Sequence, residues 1–322
     1  MMKKGWFRLL VGAGVAAVLS ASSAQASDVC DRACLEGMVN KFIAAMVAHN
    51  PEALPLQRDF KYTEDGQQLW LGDGLFGTAS APGKYKLYVS DPEDGQAGFI
   101  GTLFENGVPI YIALRLKVEY GLISEAEVIA ARGSGNAALP SAGKTLEEKG
   151  KPRPEFLRTV PANERMSRAD LIKVANSYFT GLGGDTGHNT APFAKTCLRW
   201  ENGTQTNSNT SFPDTSGLGI VGMSCEDQQK SGWFAFVTEI RNRRFPIVDR
   251  ERGLVMSFAF FDHNARPEAI HMTNGKTTMP PLKAPTTLEI SELFQIDKGL
   301  INQVEAVINT VPYRMKSALW DK

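Results

Sequence analysis

Cysteine and histidine are scarce in this chain, four of each in 322 residues. No two cysteines form a CxxC pair, and none of His49, His188, His263 and His271 has a helical i, i+4 partner. The usual metal-ligand spacings are therefore missing and no metal is expected. Net charge is missing too, with 35 basic and 35 acidic side chains. A neutral chain lacks the electrostatic footprint of a nucleic-acid binder. The one dense arginine run, Arg241, Arg243, Arg244, Arg250 and Arg252, is interleaved with Glu239, Asp249 and Glu251 and reads as a solvated face of mixed charge. Gly143-Lys144-Thr145 ends like a phosphate loop, but Ala138 stands where the loop needs its first glycine. No Gly-x-Ser-x-Gly elbow occurs. Nothing here calls for a nucleotide, a flavin or any other cofactor.

Long apolar runs are also absent, apart from residues 9–19. That run is too short to span a bilayer; it follows Lys3, Lys4 and Arg8 and closes on Ala24-Gln25-Ala26. This is the form of a bacterial-type secretory signal peptide, residues 1–26, cleaved before Ser27. Cys30 follows Asp28 and Val29 rather than the small residues of a lipoprotein signal, so no membrane anchor is expected after cleavage. The expected location is periplasmic or secreted. An even number of cysteines in an exported chain invites pairing. Local bridges Cys30 with Cys34 and Cys197 with Cys225 are the expected arrangement, although the other two pairings stay formally open.

Residues 133–154 are rich in Gly, Ala, Pro, Ser and Lys without a hydrophobic period and read as a linker between domains at 27–132 and 155–322. The two pieces echo one another. Val118-Glu119-Tyr120-Gly121-Leu122-Ile123 with Glu127 matches Ile296-Asp297-Lys298-Gly299-Leu300-Ile301 with Glu305, spacing for spacing. Thr63-Glu64-Asp65-Gly66-Gln67 likewise resembles Trp200-Glu201-Asn202-Gly203-Thr204-Gln205. Acid-Asp/Asn-Gly sequences make tight turns, and flanking apolar runs supply the strands. Each half opens on an amphipathic helix, over 34–48 and 167–181. Strands are predicted at 85–89, 99–104, 111–118 and 123–130, and at 233–240, 254–261, 288–296 and 301–308.

A helix followed by a curved antiparallel sheet, given twice, is an α+β plan of two cone-shaped domains. The element order and the acid-Asp/Asn-Gly turns resemble the nuclear transport factor 2-like superfamily, the fold of ketosteroid isomerase, scytalone dehydratase and SnoaL-type cyclases. The resemblance implies a pocket within each cone and sheet-to-sheet pairing, here within one chain, with homo-oligomerisation left open. It also implies cofactor-independent lyase, dehydratase or isomerase chemistry on a small apolar or aromatic molecule. Retro-aldol release of formaldehyde from lignin-derived aromatic dimers is among the reactions of that fold. The alternative is a non-catalytic exported module that binds a small ligand or a protein.

Such chemistry needs positioned acids. In the first half Glu64, Asp65 and Tyr62 are candidate catalytic groups, with Trp70 and Phe76 as aromatic walls. A carboxyl against aromatic surface has its pKa raised, and a phenol can donate to an oxyanion. In the second half Glu201 repeats the corner beside Arg199 and Asn202, and Asp249, Arg252 and His263 lie on or near later strands. For each of these the bland reading is a turn bond, a hairpin ion pair or a strand-end histidine.

Overall fold

The computed structural model describes residues 1–2, 30–133, 142–183, 191–211 and 217–319. The apolar run and cleavage site of the expected signal peptide, and His188, lie outside them. The first half opens on helix α1 (Arg32–Val47), whose N-cap Asp31 accepts from the Cys34 backbone N–H at 2.9 Å. Its apolar stripe, Leu35, Val39, Phe42, Ile43 and Met46, is buried. Then follow β1 (Leu56–Glu64), β2 (Gln67–Leu69), a turn of helix α2 (Leu75–Thr78), β3 (Ala79–Asp91), β4 (Gln96–Glu105), β5 (Val108–Glu119) and β6 (Leu122–Ala131). Helices α3 (Ala142–Lys149) and α4 (Pro154–Leu157) connect to the second half. There α5 (Arg168–Leu182) is capped by Ser167, and is followed by β7 (Phe193–Glu201), β8 (Thr204–Gln205), α6 (Cys225–Lys230), β9 (Glu239–Asp249) and β10 (Leu254–His263). A small hairpin, β11 (Ile270–His271) with β12 (Thr277–Thr278), precedes β13 (Thr286–Asp297) and β14 (Leu300–Val311).

The two six-stranded sheets have one topology: β2-β1-β6-β5-β4-β3 and β8-β7-β14-β13-β10-β9. In each, only the junction of the first long strand with the last is parallel. The long hairpins turn at Tyr120-Gly121 and Lys298-Gly299, all four at positive φ, where a glycine in second place removes the Cβ clash. Along each strand one face meets its own helix, as in Leu114 and Leu116 under α1 and Ile290 and Phe294 under α5. The opposite faces meet each other: Leu87, Ile100 and Ile129 of the first sheet pack with Ile247, Met256 and Leu293 of the second. Strands covered on both sides lose polar alternation, and β10 is buried at every residue.

A reciprocal exchange locks the halves. Asp249 holds Arg32 of α1 through two contacts of 2.8 Å. Asp91, its counterpart at the end of β3, holds Arg168 of α5 at 2.6 Å and accepts the Val248 backbone N–H at 2.8 Å.

Three sequence expectations change. Residues 233–236 form a 3-10 turn entered through Gly232 at positive φ, and the strand begins only at Glu239. The stretch read as a linker contains α3, whose Leu146 is buried between the halves and whose Glu147 accepts from Thr102 Oγ1 at 2.6 Å and from the Lys84 N–H at 2.8 Å. The arginine run is not a solvated face: Arg244 crosses to Glu127 of the first sheet, and Arg241 binds Asp262 at 2.9 Å.

Candidate functional site

Both acid-turn corners form, and in each the central residue is structural. Asp65 and Asn202 adopt positive φ. Their side chains return to the neighbouring strand, Asp65 Oδ1 accepting from the Ala130 N–H and Asn202 Oδ1 from the Ile308 N–H, both at 2.9 Å. Burial pushes the Asp65 carboxyl up to about 6, against the opposing pull of the Ala130 N–H and of Arg132. Glu64 is saturated: it accepts from Tyr62 Oη at 3.0 Å and the Leu75 N–H at 2.6 Å, and pairs with Arg132. Arg132 also binds Asp65 at 3.0 Å and Glu105 at 2.7 Å. Burial, then the charge of Glu64, holds the Tyr62 phenol well above its ordinary pKa. Phe76 is in the core, edge-on to Phe42, while Trp70 is 85 % exposed and walls nothing.

Of the later second-half candidates, Asp249 belongs to the clamp on Arg32, and Arg252 donates to the Tyr88 carbonyl oxygen at 3.3 Å. His263 stacks on Phe236 and contacts its carbonyl oxygen at 3.0 Å through Nδ1; burial lowers its pKa. It pairs across the sheet with Thr286, well along β13 from the acid described next.

The superposable landmarks make the halves comparable position by position. Phe42 and Tyr178 stand at the same distance from the caps Asp31 and Ser167; Tyr62 and Arg199 precede the corner glutamates alike. Leu114 and Glu292 stand equally far from the long hairpins, as do Phe99 and Ser257 from Gly95 and Gly253. In the first cone these inward residues are Phe42, Tyr62, Phe99 and Leu114, all within one apolar cluster. In the second they are Tyr178, Arg199, Ser257 and Glu292, all buried.

The second cone therefore encloses a polar cluster where the first is filled. Arg199, on β7 beside Cys197, pairs with Glu201, donates to Gln228 Oε1 at 2.6 Å and lies 5.0 Å over the Phe234 ring. The Tyr178 phenol, from α5, shares the Arg199 and Glu292 surroundings and packs edge-on to Phe294. Ser257 Oγ donates to the Glu292 backbone oxygen at 3.0 Å. Tyr178 Oη, Arg199 Nε and Glu292 Oε2 are buried without a hydrogen-bond partner of normal geometry. Burial pushes the Glu292 carboxyl up to about 8, with Arg199 pulling the other way, Glu201 adding to the rise and the facing Tyr178 phenol opposing it. Burial also raises the Tyr178 phenol well above its usual value. For Arg199 burial disfavours the charge, but Tyr178, Glu201 and Glu292 more than offset it and the guanidinium stays protonated.

Two insertions border this cone. Residues 206–211 and 217–238 stand where the first half has its short 70–78 connection, and 264–285 replace the Asn106-Gly107 turn. They meet in a small apolar cluster of Leu218, Ile220, Ile270 and Met272. Cys197 is bonded to Cys225 of α6, with Cα atoms 6.0 Å apart, and Cys30 to Cys34 at 5.2 Å. Two disulfides fit an oxidising compartment. Among the described residues no group of His, Cys, Asp and Glu is arranged to hold a metal ion, and no helix is long and apolar enough to cross a membrane.

Arg199 and Glu201 were among the residues singled out in the sequence; Tyr178, Gln228, Ser257 and Glu292 were not. The signal was present: Glu292 interrupts the inward set Ile290, Phe294 and Ile296 on a strand, where period two puts it against the helix.

A family model described as "Domain of unknown function (DUF8021)" matches residues 164–308, a stretch that contains the whole second-cone cluster. No curated protein matches the chain. Among solved structures it is similar to AusH from Aspergillus nidulans, at 12% identity over 44% of this chain and 86% of that one, with a TM-score of 0.27.

Proposed function

We propose that the chain is an exported tandem of nuclear transport factor 2-like cones in which the first is a filled scaffold and the second holds the active site. The site runs cofactor-independent acid–base chemistry, of the lyase, dehydratase or isomerase kind, on a small apolar or aromatic molecule bearing a carbonyl or hydroxyl oxygen. One observation carries this reading: a phenol, a guanidinium and a carboxyl, those of Tyr178, Arg199 and Glu292, are buried together, and although the phenol and the carboxyl face one another, Tyr178 Oη, Arg199 Nε and Glu292 Oε2 make no hydrogen bond of normal geometry. Such atoms are costly unless something fills their valences.

A carboxyl with its pKa near 8 is mostly protonated at neutral pH, so Glu292 can donate to a substrate oxygen and then act as a base. The Tyr178 phenol is a second donor to that oxygen. The Arg199 guanidinium, held by Glu201, stabilises negative charge that develops there. Burial strengthens each of these interactions. The test is turnover of a panel of small aromatic ketones and β-hydroxy ketones, followed by ultraviolet absorbance, with wild type, Glu292→Gln and Tyr178→Phe. Loss of about 100-fold to 10,000-fold in rate for Glu292→Gln, in a chain that melts normally, supports the enzyme reading. Binding of these compounds without turnover in wild type would instead favour the ligand-binding module. Neither binding nor turnover by wild type would defeat both.

A further inference from the structure

We infer that α6 is the positioning element of the second-cone site, and that the Cys197–Cys225 bond, by docking α6 on β7, makes that site conditional on an oxidised chain. This rests on the second cone being the active one. Helix α6 has six residues, too few to hold its shape without tertiary support. Its support and its output are the same contacts. Gln228 and Gln229, adjacent on α6 and both buried, reach two of the elements that carry the cluster, β7 and α5. Gln228 Oε1 accepts from Arg199 Nη1 at 2.6 Å, while its Nε2 donates to the Thr206 and Ile220 carbonyls at 2.6 and 2.7 Å. Gln229 Nε2 donates to the Tyr178 carbonyl at 3.2 Å, and its Oε1 accepts from the Ala191 N–H at 2.8 Å. Gly181 allows that approach, since a Cβ there would lie 2.6 Å from Gln229 Oε1.

The disulfide enters two residues before Arg199 and anchors the first residue of α6. Asn207 ties the staple to the site: its Nδ2 donates to the Cys197 carbonyl at 3.0 Å and lies 3.2 Å from Cys225 Sγ, while its Oδ1 accepts from the Arg199 backbone N–H at 2.7 Å. Gln228 and Glu201 together occupy Nη1 and Nη2 of Arg199. Two of its three nitrogens are thereby engaged by partners other than Glu292, whose Oε2 faces the Tyr178 phenol but makes no hydrogen bond of normal geometry. Released from α6, the guanidinium turns onto that oxygen and the acid is lost as a proton donor. The bond forms when the two thiols give two electrons and two protons to a disulfide-bearing oxidant, which leaves as a dithiol.

The experiment follows the Glu292 carboxyl by carbon-13 NMR in full-length protein, with no ligand present. In wild type a midpoint near 8 is expected. In Gln228→Leu, which keeps the disulfide and most of the side-chain volume, the midpoint falls by about one unit or more, a tenfold change in the ionisation constant. The Cys197→Ser/Cys225→Ser double variant shows the same fall while still melting cooperatively. An unchanged midpoint in folded Gln228→Leu overturns the positioning role. An unchanged midpoint in the double-cysteine variant overturns the redox condition, as does its failure to fold, because the bond would then hold the fold rather than the site. Since no substrate enters these readouts, they can fail while the catalytic reading stands, and the reverse.

Discussion

Glu292 lies between an apolar helix face and a covered sheet, where ionisation is opposed by burial before any partner acts. Its pKa, raised from 4.5 to about 8, makes stability depend on pH in a definite sense. Below about 4.5 folded and unfolded chains both hold the proton, and the residue imposes no penalty. Between about 4.5 and 8 only the folded chain holds it, so the penalty grows with pH and is full above about 8. Asp65 adds the same trend between 3.8 and about 6. Glu292→Gln removes the larger contribution: its melting temperature should match wild type near pH 4 and exceed it increasingly up to pH 8. Parallel melting curves across that range would refute the buried-acid assignment. Glu64→Gln has the opposite character. It breaks a pair with Arg132 and weakens acceptance from Tyr62 and Leu75, so a loss of about 1 to 3 kcal/mol is expected, read by denaturant unfolding, with second-cone chemistry untouched. A selective loss of turnover at unchanged stability would return the active site to the first cone.

At the scale of elements, what was legible depended on whether local chemistry alone decides the structure. The start of the second helix at Ser167, the long hairpins and the acid-Asp/Asn-Gly turns are local, and they stand where the sequence puts them. The aromatics of 233–236 suggest a strand, but their rings pack on each other and on His263 at the end of β10, which is a tertiary preference. Helix α3 has a single apolar anchor, Leu146, too little to show a period, and its fixing contacts come from Thr102 and Lys84, distant in sequence. The candidate site was half legible for the same reason. Arg199 and Glu201 sit on a recognisable turn, whereas Tyr178 and Glu292 look like ordinary members of a helix and a strand until the halves are compared inward residue by residue. If α3 is docked as seen, Leu146→Ala should cost about 2 to 5 kcal/mol and speed protease cleavage within 142–149. Unaltered stability would mean that this segment hangs free.

For the whole molecule, duplication leaves each sheet buried on both sides, so neither half has a complete core alone. Leu87 and Ile100 of one sheet and Met256 and Leu293 of the other belong to one cluster, and the Arg32–Asp249 and Arg168–Asp91 exchanges pin its edge from both directions. Both aspartates are buried, and Asp91 also accepts a backbone N–H from the opposite half, so truncation strands a donor besides breaking an ion pair. Asp91→Ala is therefore expected to lose about 3 to 5 kcal/mol, the scale for breaking a buried pair by removing one partner. The two halves should unfold together, as one calorimetric transition, because exposing the shared cluster destabilises both sheets at once. In Asp91→Ala that transition should move down in temperature and remain single. Two transitions in wild type would show the cones to be independent, and a split only in the variant would show that the arginine exchange, more than the shared apolar face, couples them.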